Sequence, residues 1–487
     1  MITTLPIANG FYQSQSLPVS AQNCINWYPH INEAPALNQE VLFGTPGIEE
    51  ETITGYTAAS AIRGSHSFRG AVYFVAGTTL YRLTTARVAT SLGTVAGTGL
   101  VSMADNGIQL MALSGGLGYI FNEDTDVFAA ISDLDFTANG TPLAVCFVDG
   151  YFVCTTDENG KFIVSSLNDG LAWNALDFAT AESSPDGAMV PVVSKNQLFI
   201  VGTNTSEQYS NVGGSGFPFQ RTGLFIAKGA SALFSVIAYN DTFAFVGGGK
   251  DELPAIWAVE GNGEVKISTS AIDLLLQQLT DDELAAVFAW TYTQAGHLFV
   301  GFGLPTTAIV YDVATGRWHE RQSRIQSGIF FNTETYRVGS FVQLGNDLLA
   351  MDSEDGRIGR VSLDVYTEYG TDISRTFTTQ PMQNNMQPFF IPKLELTMES
   401  GVGLIAGETD PSIGLQISRD GGKTWGDSRQ RPLGAMGNYN SRAVWRRNGR
   451  SSRFDVYRFT MCSCVKAVAI QLTAQIEGGD DGIIAAA

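Results

Sequence analysis

Residues 72–83 read VYFVAGTTLYRL: strand formers from Val72 to Ala76, a turn carrying Gly77, then a second strand ending at Leu83. The same unit returns as LMALSGGLGYIF (110–121), YFVCTTDENGKFIV (151–164) and LFIVGTNTSEQY (198–209). It continues as FAFVGGGKDELPAIWAV (243–259), LFVGFGLPTTAIVYD (298–312) and LLAMDSEDGRIGRV (348–361). Successive starts lie 38, 41, 47, 45, 55 and 50 residues apart. Strand pairs recurring every ~40–50 residues are the mark of a β-propeller. One small twisted sheet cannot bury both its faces, whereas a closed ring of such sheets can. The pattern predicts a mainly β protein with a propeller of six or seven blades over 56–384.

The longest interval has its own explanation. In STSAIDLLLQQLTDDELAAVFAW (268–290), Ile272, Leu275, Leu276 and Leu279 recur at helical spacing. Thr280 and Glu283 then form a T-x-x-E capping box that opens a second short helix. A small helical insertion is expected near 268–290. Residues 1–55 mix aromatics, prolines and acids without a period, and predict an extended arm on a surface, on a neighbouring subunit for instance. After about 385 the rhythm changes. FFIPKLELTMES, GVGLIAGE, GLQISRDGGKTW, RAVWRRNGRSSRFDVYRF and VKAVAIQLTAQI predict a separate antiparallel β-domain over 385–477, with a tail at 478–487.

Of 487 residues, 44% are hydrophobic and 16% charged, as in ordinary folded chains. The 53 glycines suit tight turns between short strands. The N-terminus, MITTLPIANGFYQ, has no basic segment followed by an apolar one, so no signal peptide is expected. No run of 18 apolar residues occurs, so no membrane insertion is expected. Five cysteines, an odd and small number, fit reduced thiols in a cytoplasmic product. Cys462 and Cys464 read as small core residues of a strand rather than metal ligands. The charge is uneven. The whole chain carries −19, residues 1–300 carry −18 and residues 401–487 carry +3. An acidic body with a basic end can assemble head-to-tail or against an acidic partner, although charge also serves solubility alone.

Motifs that carry chemistry are few. SRDGGKTW (418–425) matches the Asp-box S-x-D-x-G-x-T-W at Ser418, Asp420, Gly422, Thr424 and Trp425. Its Asp accepts hydrogen bonds inside a tight turn and its Trp packs beneath, so the role is structural. GGGK (247–250) lacks the first glycine and the following Ser or Thr of a phosphate loop. NEDTDVF, TTDENGKF and DSEDGRIG do not complete the calcium-loop pattern. With four histidines, no G-x-S-x-G elbow and no Cys/His cluster of zinc spacing, no catalytic, cofactor or metal residues are assigned, and no enzyme is expected. His297 precedes a strand, and His319, in GRWHERQS, reads as a satisfied structural histidine. The C-terminal run WRRNGRSSRFDVYR (445–458) holds Arg446, Arg447, Arg450 and Arg453 around Asn448–Gly449, a type I′ hairpin signal. It predicts a hairpin presenting arginines either to DNA phosphates or to carboxylates on another subunit; the acidic body favours the second.

Several stretches resemble a known family. SSPDGAMVPVVSKNQLFIVGTNTSEQYSNVGGSGFPFQRTG (183–223), EVKISTSAIDLLL (264–276), GHLFVGFGLPTTAIVYDVATGRWHERQS (296–323) and DGGKTW with VWRRNGRSSRFDVYRF are similar to phage packaged-DNA stabilisation proteins. So is INWYPHINEA…FGTPGIE near the N-terminus. The likeness covers most of the chain. It implies a structural virion protein of a short-tailed phage, assembled in the host cytoplasm. Such proteins form a hub or nozzle in the virion tail, a homo-oligomer that is a hexameric ring below the portal and its adaptor protein. The ring continues the DNA channel, helps retain packaged DNA and docks tail spikes or fibres. Double-stranded DNA would pass through the lumen without specific binding, since a negative wall lets phosphates slide. The Asp-box keeps one alternative open, a carbohydrate-binding or sialidase-like propeller for receptor binding. Against it, residues 88–220 hold only Lys161 and Lys195 as cations and no arginine for a sialidase cluster.

Overall fold

Each recurring unit becomes the middle two strands of a four-stranded antiparallel sheet. The computed structural model describes residues 2–158, 160–181, 187–213, 216–327, 330–384, 387–402 and 410–478. In the first blade, Ala71–Ala76 and Thr79–Leu83 are flanked by Ile62–Phe68 and Ala89–Thr94. The first two strands meet at Arg69–Gly70, where φ is +46° and +77°. Positive φ at both positions makes the turn whose twist matches that of paired strands. Asp149–Gly150, at +50° and +91°, repeats it two blades on. Five further sheets of this kind follow over 102–130, 142–180, 188–226, 237–266 and 288–327.

The seventh sheet closes the ring and is composite. Val338–Leu344, Asp347–Asp352 and Ile358–Ser362 supply three strands. The fourth is Gly47–Glu50, which pairs with Ile358–Ser362 across more than 300 residues of chain. The innermost strands then run round the ring, with Val338–Leu344 packed back against Ile62–Phe68. Each junction between blades holds its own buried cluster. Phe74, Val342 and Met351 fill that between the last and the first, and Val246, Ile272, Leu276 and Phe302 that between the fifth and sixth. Burial of both faces of every sheet is what makes the ring stable as a unit. The two helices, Ser270–Gln277 and Asp281–Ala285, sit at this last junction, and the Thr280–Glu283 capping box forms as the sequence predicts.

The remaining strands build a sandwich. One sheet runs Ala443–Arg446, Phe389–Met398, Val468–Gly478, Glu40–Gly44, Trp27–Ile31, with Ile2–Leu5 beside Val468–Gly478. The other runs Arg429–Pro432, Ser412–Ser418, Phe454–Met461, Arg375–Thr378, Cys24–Ile25. Trp27, Leu394, Trp445, Tyr457 and Phe459 lie fully buried between them. Cys24–Ile25 also pairs with Arg317–Ser327 of the sixth blade, so one sheet passes from propeller to sandwich.

Several expectations change. Residues 1–55 are not an arm on a surface: they supply strands to both domains of their own chain, because Trp27, Leu42 and Ile48 are needed in those cores. The propeller's strands end before 373, since Arg375–Thr378 pairs with Phe454–Met461 of the sandwich. Cys462 and Cys464 follow that strand rather than lying in it and are partly exposed, with thiols directed to Ser374 and Asp372. The GVGLIAGE strand (403–408 of it) and the tail beyond Gly478 lie outside the described residues, as do 183–186 and 214–215 of the family-like central run.

Candidate functional site

The Asp-box closes the end of Ser412–Ser418. Asp420 is its hub. One carboxylate oxygen accepts from Ser418 Oγ (2.7 Å), Lys423 N (3.0 Å) and Thr424 N (2.9 Å), and the other from Thr424 Oγ1 (2.6 Å). Gly422 N donates to Ser418 Oγ at 2.7 Å. These donors, led by the Thr424 hydroxyl, hold the Asp420 carboxyl far below the usual carboxylate range. Every lone pair in reach is used inside the turn, which leaves Asp420 nothing for a ligand. Trp425, at the end of the motif, is half-buried, and the Arg458 guanidinium lies 4.0 Å from its ring centroid. Because the folded carboxyl ionises more easily than the unfolded one, its contribution is present above the unfolded pKa, near ~4, and fades as pH falls below it. Asp420→Asn is therefore expected to lower the melting temperature at pH 7, with the gap to wild type narrowing below about pH 4 in thermal scans.

The arginine segment is not a hairpin. Ala443–Arg446 pairs with Phe389–Met398, and Arg450–Ser451 continues along the same strand. Arg447 at φ +56° and Gly449 at +84° form a bulge in one edge strand, and Phe454–Met461 leaves for the other sheet. The Asn–Gly signal predicts a hairpin tip, but Asn448 is buried, its amide donating to Trp445 O (3.1 Å) and accepting from Arg429 (2.6 Å). A tertiary partner for the side chain displaces the local turn preference.

That placement separates the domain's arginines into two sets. Arg419 pairs with Asp455 at 2.6 Å, Arg442 with Glu395, and Arg431 donates to Val444 O. Arg446, Arg447, Arg450 and Arg453 are exposed, and none forms an ion pair among the described residues; Arg453 only covers the Phe454 ring at 5.0 Å. Arg446 and Arg450 lie on the edge strand, Arg447 in its bulge and Arg453 where the chain leaves for the other sheet; charge at such an edge also blocks edge-to-edge pairing. All four are open to solvent, while Asp420 spends its hydrogen bonds inside its own turn.

Three buried polar arrangements escaped the sequence reading. Arg321, 1% exposed, pairs with no carboxylate among the described residues and is caged by Trp290, Tyr292, Phe299 and Tyr336 at 5.1–5.8 Å. His297 Nδ1 bonds Asp312 at 2.7 Å while its Nε2 meets His30 Nδ1 at 2.8 Å, a chain ending at the domain junction. His319 is fully buried; its Nε2 accepts from Arg321 Nε at 3.4 Å while Nδ1 has no partner among the described residues, so the satisfied histidine expected is only half satisfied. Burial, then the Arg321 charge, drive its pKa well below that of free histidine. Arg375, 1% exposed, is the third. Their signal in sequence is only an arginine or histidine at an inward strand position. Among the described residues no group of three His, Cys, Asp or Glu is placed to hold a metal.

A ring closed by its own N-terminus, joined by a continuous sheet to a sandwich with an open arginine edge, defines a two-domain propeller–sandwich protein. Comparison with known families divides the chain in the same place. The family described as Bacteriophage P22 Gp10, beta-propeller, matches residues 3–366, and Bacteriophage P22 Gp10, beta-sandwich, matches 374–477. The chain belongs to this family, that of the phage packaged-DNA stabilisation proteins, and is a phage structural tail protein and virion component. The first match begins at residue 3 although the first full blade begins at Ile62, as ring closure by Gly47–Glu50 requires. A comparison with curated proteins finds no match. Among solved structures, the designed Ika8 protein is similar over 70% of this chain and 99% of its own, with 14% identity and TM-score 0.37. BamB from Moraxella catarrhalis (70% and 98%, 12% identity, TM-score 0.38) and the N-terminal domain of Nup159 (68% and 98%, 9%, 0.40) are comparable. These likenesses are too loose to argue from.

Proposed function

We propose that the chain is a non-enzymatic subunit of a homo-oligomeric tail ring, a hexamer below the portal and its adaptor protein. The ring continues the DNA channel, helps retain the packaged genome and docks tail spikes or fibres. The observation that carries this reading is the family match across both domains. The four unpaired arginines on the sandwich edge support it: guanidinium forks at a free edge suit carboxylates on an adjoining ring component. The −18 over residues 1–300 suits both a partner surface for those arginines and a wall that DNA slides past. Electron microscopy of the purified protein mixed with its adaptor is expected to show a ring; a lasting monomer that never joins the adaptor counts against the proposal.

Replacing Arg446, Arg447, Arg450 and Arg453 together with Ser is expected to leave monomer stability within ~0.5 kcal/mol per site, because no ion pair among the described residues is lost. Tail assembly should weaken, read as the yield of complete tails by sedimentation. If assembly persists and only DNA retention fails, the arginines contact phosphates instead.

A further inference from the structure

Between propeller and sandwich lies a cavity of about 230 Å³. Tyr28, Phe43, Pro46 and Leu363 give it apolar walls, and Arg375 and His30 give it polar ones. Arg375 is the anomaly. Its Nη2 donates to Thr45 O at 3.3 Å, but Nε and Nη1 have no hydrogen-bond partner among the described residues. No carboxylate among the described residues pairs with it, and burial pushes its guanidinium down to about 10. Arg321 shows how this protein otherwise treats a buried unpaired arginine, by surrounding it with aromatic faces. Arg375 instead lies close against Gly44, which lines the same cavity; a Cβ there would come within 2.7 Å of Nε. A buried guanidinium with free N–H groups costs several kcal/mol unless something pairs with it.

We propose that this cavity binds a carboxylate with a short apolar body, paired to the Arg375 guanidinium. A planar carboxylate matches the guanidinium fork. The apolar walls exclude water from the pair and take up a hydrocarbon body, and the volume limits it to a few carbons. His30, held from behind by His297 and Asp312, borders the same space. Lys466 at the rim is already paired with Glu399 at 3.0 Å, so the unsatisfied charge is that of Arg375. The same chemistry is offered by a free short-chain acid and by an acidic side chain of an adjoining subunit.

Calorimetric titration of the full chain with propionate tests the first source, with propionamide as the neutral isostere. Saturable binding of propionate, at least about tenfold tighter than propionamide, is expected. It should be lost in Arg375→Met and in Leu363→Trp, which blocks the half-exposed mouth without touching the charge and so serves if Arg375→Met fails to fold. Density for an acidic side chain on Arg375 in a map of the assembled ring would assign the second source. Equal binding of acid and amide, binding that survives Leu363→Trp, or water alone on Arg375 in both the free and the assembled protein would overturn the proposal.

Discussion

A chain beginning at Tyr56 is expected to be recovered as aggregate rather than as a folded propeller. Removing residues 1–55 strips Gly47–Glu50 from the seventh blade and leaves Ile358–Ser362 as an unpaired edge. It also removes Trp27–Ile31 and Glu40–Gly44 from the sandwich and uncovers Val468–Gly478. Leu5, Phe11, Trp27, Tyr28, Leu42 and Ile48 are all buried, and at ~2 kcal/mol each their loss is on the order of 10 kcal/mol. That is comparable to the whole net stability of a typical domain, about 5–15 kcal/mol. A milder version is Gly47→Val, since any Cβ there would strike the Val365 carbonyl. Co-expression of residues 1–55 as a separate chain should restore soluble protein, because the strands need pairing rather than continuity. A truncated chain that is monomeric, with a sharp thermal transition near that of wild type, would refute this account of closure.

Glu320→Gln and Glu368→Gln are expected to stabilise the protein at pH 8, by about 3 kcal/mol each, and to change little at pH 5. Both glutamates are buried, at 7% and 8% exposure, and desolvation raises each from 4.5 to about 7. The folded chain therefore keeps these protons until about pH 7, whereas the unfolded chain releases them near 4.5. Over that interval the native state binds more protons, so stability falls as pH rises and reaches its lower plateau above 7. A glutamine stays neutral throughout and escapes the loss. Ser323 Oγ donates to Glu368 at 2.5 Å, a bond that the amide oxygen retains. His319 acts in the opposite sense below pH 6.5, since only the unfolded chain protonates it readily, so the comparison must be between variant and wild type at each pH. Urea midpoints at pH 5 and pH 8 make the measurement. A destabilised variant at pH 8 would mean that the ionised carboxylates are held by compensating charge.

How far the sequence could be read differs from element to element. VYFVAGTTLYRL and its six successors mark blades because alternation and turn chemistry act over a few residues, and each of them became the middle of a sheet. The Thr280–Glu283 cap was legible for the same reason. Asn448–Gly449 misled because an identical dipeptide serves a hairpin tip or a bulge, and the Arg429 guanidinium on the Asn448 side chain selects the bulge. INWYPHINEA looked irregular because Cys24–Ile25 and Trp27–Ile31 are short strands that alternate between two sheets, so no single period develops.

By itself, then, the sequence determined that the protein is a ring of small β-sheets with a second β-domain, since hydrophobic period and turn residues are local properties. Tertiary structure alone decided how the ring closes, because Gly47–Glu50 and Ile358–Ser362 find each other only when the blades between them have curved round. It alone decided which arginines are free as well. Arg419 and Arg446 are the same residue type in the same domain. One folds beside Asp455 and the other pairs with no carboxylate among the described residues, and an ion pair depends on a distance that spacing along the chain does not encode.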